Sequence, residues 1–115
     1  EIMTLCEKNH LTLIEDSAHA AGTSYKNKKI GTHGMAVCFS FHPVKIITTA
    51  EGGAAFTNHE DLAKRMQLFR SHGITRDQSQ MVFESDGPWY YEQIELGFNL
   101  FIKKLNVLQN PKSII

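Results

Sequence analysis

A chain of 115 residues can bury one modest core and has little left over to enclose a cofactor by itself, so one domain is the ceiling. Hydrophobic residues make up 42% and charged residues 21%, and twelve acidic side chains balance twelve basic ones, which argues against a nucleic-acid or membrane-surface partner. No apolar run reaches membrane-spanning length and no signal peptide stands out, so the chain reads as cytoplasmic.

Ile2, Leu5 and Cys6 recur at helical spacing and predict a helix over 1–9 that closes at Asn9-His10. The chain opens at Glu1, without Met and already inside this helix, and the expectation is that upstream sequence is missing. The apolar run Leu11 to Ile14, ending in Glu15-Asp16, predicts a buried strand over 11–15. Helix then strand is half of an alternating α/β unit, in which residues just past the carboxyl ends of parallel strands face the ligand crevice. Asp16 stands at that position.

A stretch of small residues, Ser17 to Gly22, leads into Tyr25-Lys26-Asn27-Lys28-Lys29-Ile30-Gly31, which has turn chemistry and reads as a solvated hairpin tip. Met35 to Phe41 predicts a second strand, Pro43 interrupts any regular ladder after it, and Gly53 to Thr57 predicts a third. Asn58 is placed to cap a helix over 59–70, with Asp61 in its first turn and Leu62, Met66 and Phe69 along one face. Ser71 to Gln93 reads as a long polar loop that ends in the aromatic cluster Trp89-Tyr90-Tyr91. Cys6 and Cys38 lack CxxC spacing and read as small buried hydrophobes. The stretch 100–115 keeps no apolar period and reads as a divergent or truncated tail to a unit over 1–99.

Three residues carry chemistry close together in sequence: Asp16 and Ser40 at strand ends, and Lys45 in the loop that leads to Glu51-Gly52-Gly53. Taken singly, each has an ordinary reading, a loop hydrogen-bonder for Asp16 and a solvated charge for Lys45. His19 and His42 lack the carboxylate or thiol spacing of a zinc site, so no metal is expected.

Taken in order, Glu15-Asp16-Ser17-Ala18-His19-Ala20, Ser40-Phe41-His42-Pro43-Val44-Lys45, Glu51-Gly52-Gly53-Ala54 and Leu96-Gly97-Phe98-Asn99 resemble the DegT/DnrJ/EryC1/StrS family of sugar aminotransferases. The resemblance runs from about Leu11 to Asn99. It implies a fragment of the large domain of a fold-type I transferase dependent on pyridoxal phosphate, with a mixed, mostly parallel sheet flanked by helices. Lys45 would then form the Schiff base with the cofactor and shuttle a proton during transamination. Asp16 would pair with the pyridinium nitrogen, Ser40 would donate to the cofactor phosphate, and His19 would orient Asp16 or the phenolic oxygen. Asn99 would reach the phosphate held by the neighbouring subunit of a homodimer with a shared site.

The implied substrates are a 4-keto-6-deoxy sugar linked to UDP and an amino donor such as glutamate. Family members that dehydrate their sugar replace this lysine with His, so Lys45 points to amino transfer. His42 is left between a structural and a substrate-contacting role, and the Trp89-Tyr90-Tyr91 cluster, similar to a loop that contacts sugar nucleotides, is left out of the site. Beyond Asn99 the family's Tyr-Arg pair gives way to Leu100-Phe101, which suggests a chain lacking its flanking segments. The alternative reading is therefore a catalytically inactive fragment.

Overall fold

The computed structural model describes residues 1–99, and the stretch read above as a divergent tail lies outside the described residues. Helix α1 spans Ile2–Lys8, and the first strand, β1, spans Ile14–Asp16. A small hairpin follows, β2 (Ser24–Tyr25) and β3 (Lys28–Lys29), then β4 (Ala36–Ser40), β5 (Gly53–Phe56) and helix α2 (Glu60–Arg70). The last elements are β6 (Ile74–Thr75), a 3-10 turn over Gln78–Gln80, and β7 (Glu92–Gln93).

The main sheet is mixed and has the order β1-β4-β5, with β1 parallel and β5 antiparallel to the central strand. This is the α/β arrangement expected; the second and third strands fall where the sequence placed them, while the first begins three residues later than expected, at Ile14. In the basic hairpin Lys26 and Asn27 have φ of 47° and 62°, the paired left-handed conformation of a type I′ turn that suits the twist of two short strands. The three lysines therefore sit on an exposed tip.

Burial departs from expectation at the sheet edge. Val37, on the central strand, is 1% exposed, whereas Leu11 and Ile14 are 60% and 63% exposed, because β1 is an edge strand that pairs on one side only. The strand forms as expected but is not buried. Cys6 is half-buried and Cys38 exposed, so neither is the enclosed hydrophobe its setting suggested. α1 buries none of its residues, and Cys38 stands exposed on its sheet face.

Helix α2 starts one residue late, with His59 at the N-cap position and no side-chain cap, in place of the Asn58 cap. Thr57 takes over that end: its hydroxyl donates to Met35 O and accepts from His59 N at 3.1 Å, tying the helix start to the residue just before β4. Ala63 is the fully buried contact of the helix, 1% exposed, with Leu62, Met66 and Phe69 half-buried beside it.

Candidate active site

Side chains alternate across a strand, so register decides which residues share a face. Asp16 pairs with Cys38, Cys38 with Ala55 and Ser40 with Gly53, which puts Asp16, Cys38, Ser40, Gly53 and Ala55 on one face. The opposite face holds Glu15, Val37, Phe39 and Phe56, the two phenyl rings meeting edge to face at 5.7 Å beside an apolar cavity of about 300 Å³. Asp16 and Ser40 thus stand at the carboxyl ends of parallel neighbours, on the same side, over a floor of small residues. A Cβ on Gly53 would lie 2.9 Å from Phe39 O, so the close return of the chain beside β4 requires glycine there.

The segment between β4 and β5 folds back on itself. Phe41 N donates to Gly52 O at 2.8 Å, Thr49 N to Phe41 O at 3.0 Å, and the Thr48 hydroxyl to that same Phe41 oxygen at 3.2 Å. Lys45 N donates to His42 O at 2.9 Å, a turn that fixes where the lysine leaves the backbone. Its Nζ lies 2.7 Å from Nε2 of His19, which comes from the loop after β1. Two loops from adjacent strand ends therefore meet through their side chains.

Asp16 Oδ1 accepts from Ala18 N at 3.2 Å, which sets the turn that carries His19, while no hydrogen bond joins His19 to Asp16 among the described residues. Ser40 Oγ accepts from His42 N at 3.4 Å, leaving its own hydrogen to donate elsewhere. His42 Nδ1 accepts from Val44 N at 3.4 Å, a contact that shapes the lysine turn. Partial burial, with the charge of Asp16 adding to it, pushes the Cys38 thiol above its ordinary value, as their shared face requires.

Asn99 lies elsewhere, in an isolated antiparallel bridge with Ser71 at the end of α2. Phe98 N donates to Phe69 O at 2.7 Å and His72 N to Phe98 O at 3.0 Å, and a Cβ on Gly97 would stand 2.2 Å from Gly73 N. Glycine at 97 is therefore what lets the Gly97-Phe98-Asn99 segment dock on the helix end. Within the chain Asn99 makes no hydrogen bond to Asp16, His19, Ser40 or Lys45 among the described residues.

Sequence reading missed Glu15. Its carboxylate accepts from Gly34 N at 2.8 Å, His33 N at 3.1 Å and Gly31 N at 3.4 Å, and so closes the loop before β4. Asp16 and Ser40 at the strand ends, with the touching Lys45 and His19 in the loops that follow them, make a carboxylate, a hydroxyl, a primary amine and an imidazole, a set that suits a group with an aldehyde, a basic ring nitrogen and a phosphate.

The sequence model of the DegT/DnrJ/EryC1/StrS aminotransferase family matches residues 1–108. The UDP-4-amino-4,6-dideoxy-N-acetyl-beta-L-altrosamine transaminase of Campylobacter jejuni is 43% identical over 99 residues, 86% of this chain and 24% of its own length. The solved structure of Helicobacter pylori PseC, an aminotransferase involved in the biosynthesis of pseudoaminic acid, is 40% identical and superposes with a TM-score of 0.72 over 88% of this chain and 25% of its own. The Streptococcus pneumoniae sugar aminotransferase Spr1654 in its PLP form is 34% identical, with a TM-score of 0.61 over 76% of this chain and 21% of its own. The chain spans about a quarter of the length of the relatives it matches. The stretch from Phe41 to Asn58 resembles the altrosamine transaminases.

Proposed function

Because the chain belongs to the DegT/DnrJ/EryC1/StrS aminotransferase family, we propose that it is the part of a pyridoxal-phosphate-dependent aminotransferase that carries the cofactor-holding lysine. The parent protein transfers an amino group, from glutamate, to a 4-keto-6-deoxy sugar linked to UDP. The sugar class is supported by the name of the Campylobacter jejuni relative, and the cofactor by the PLP form of the pneumococcal one. The observation that carries the reading is the convergence of Lys45 and His19, from two loops, beside the strand ends that present Asp16 and Ser40.

Each residue then has a stated task. Lys45 Nζ would hold the cofactor through its aldehyde carbon, the carbonyl oxygen leaving as water, and when unattached would move a proton to and from the reacting carbon of the substrate. Asp16 holds a proton on the ring nitrogen by ion pairing from the end of β1. The Ser40 hydroxyl donates to the phosphate, and His19 stands over the amine end of the site. When bound, the cofactor supplies an electron-poor ring that takes up the pair left by the broken C–H bond. By family resemblance Asn99, which bridges to Ser71, would serve the phosphate held by a neighbouring protomer, so the working unit would be a homodimer.

The test is a visible spectrum with added pyridoxal phosphate, before and after borohydride, on the natural chain and Lys45→Ala. The expected result is a band present only with Lys45, fixed by reduction, with the cofactor's mass found on the Lys45 peptide. Equal bands in both proteins, or no attachment in the natural chain, would overturn the assignment.

A further inference from the structure

Of the six histidines, His19 is the one whose ring meets the amine of Lys45, at 2.7 Å. An ammonium has three donors and no acceptor, so with Lys45 unattached and charged the contact runs from Nζ–H to Nε2, which calls for the ring tautomer with its proton on Nδ1. We infer that His19 is the positioning residue for the free amine of Lys45, holding it over the ends of β1 and β4 whenever it is not attached to the cofactor.

The backbone explains why this partner is in reach. Asp16 Oδ1 caps the turn through Ala18 N, and Ala20 N donates to Ser17 O at 2.9 Å, so the loop after β1 turns at once and presents His19 on the side of the lysine loop. Lys45 is fixed at its own backbone by the bond to His42 O. A lysine side chain otherwise spreads over many rotamers, and a single acceptor at its far end selects the ones that keep Nζ in place. Attachment to an aldehyde would leave Nζ at most one donor and would redirect it, so the contact would belong chiefly to the unattached lysine.

The inference rests on the proposed role of Lys45, and two measurements on the full chain separate its failure from failure of that role. The first uses no cofactor: nitrogen-15 NMR of the imidazoles reads which ring nitrogen carries the proton. The expected result is an Nδ1–H form for His19 in the natural chain that reverts to Nε2–H in Lys45→Met. An Nε2–H form in both would overturn the inference whatever the cofactor does. The second is the rate of covalent attachment of pyridoxal phosphate to Lys45, trapped with borohydride and read by peptide mass. Loss of one charge-assisted hydrogen bond is expected to slow His19→Leu about tenfold. His19→Gln, whose amide oxygen reaches about as far as Nε2, is expected to stay within about twofold of the natural chain. Equal slowing by Leu and Gln would show a role in packing instead and overturn the inference.

Discussion

Glu15 and Asp16 are neighbours of the same charge with opposite duties, and the difference is set by the alternation of a three-residue strand. Asp16 faces the lysine loop, while Glu15 turns to the other face and gathers three backbone N–H groups. Glu15→Ala is expected to destabilise the chain by about 2 kcal/mol, since the amides of Gly31, His33 and Gly34 lose their charged acceptor. Glu15→Gln, which keeps one carbonyl oxygen, should cost less, and urea unfolding of the two variants checks the order. The acid pair itself is legible in the sequence, as are Ser40 and Lys45, because motif order and spacing carry them. The clamp is not, because its donors lie 16 to 19 residues downstream and no local pattern marks a carboxylate that closes a distant loop.

At the scale of elements, apolar runs located the three strands of the main sheet and helical spacing located α1 and α2, although of the two helices only α2 buries a residue. The region read as one long loop holds β6, β7 and a 3-10 turn that the sequence does not announce, because two-residue strands have no period. What organises this region is Glu92. Its carboxylate accepts from Val82 N at 2.8 Å, Phe83 N at 2.9 Å and Tyr90 Oη at 3.0 Å, clasping residues ten apart in the chain. The two backbone amides, above all, hold its carboxyl below the ordinary value of 4.5, and desolvation first, with the Glu92 carboxylate adding to it, raises the Tyr90 hydroxyl. A lowered folded value means that the clasp contributes fully above the ordinary value and is lost as the pH falls through the lowered one. Fluorescence of Trp89, the single tryptophan, is expected to hold constant down to about pH 4.5 and to change below it, while Glu92→Gln should show the changed spectrum already at neutral pH.

For the molecule as a whole, the apolar residues that are fully buried are Ala36, Val37, Ala54 and Ala63 among the described residues, a small core for this length. Ile2, Leu11, Ile14, Val44, Phe83 and Trp89 stand at least 60% exposed, and β1 presents an open strand edge. Surface of this kind ordinarily meets further protein. The chain by itself is expected to bind anilinonaphthalene sulfonate and to associate as its concentration rises, which light scattering after size exclusion measures; a dye-silent, concentration-independent monomer would contradict this. None of this was legible beforehand, because apolar periodicity shows which residues want cover and not whether the cover is present. The pairing of Asp16 with Cys38 carries one more consequence, as a proofreading device in assembly. If β1 slipped by one residue, a carboxylate would still reach the sheet edge, but it would be Glu15, one methylene too long, and the loop at Gly31–Gly34 would have nothing to close on. Mispairing is thus reported twice, by an open loop and by a misplaced acid, so a chain that has closed that loop has also put Asp16 beside Cys38.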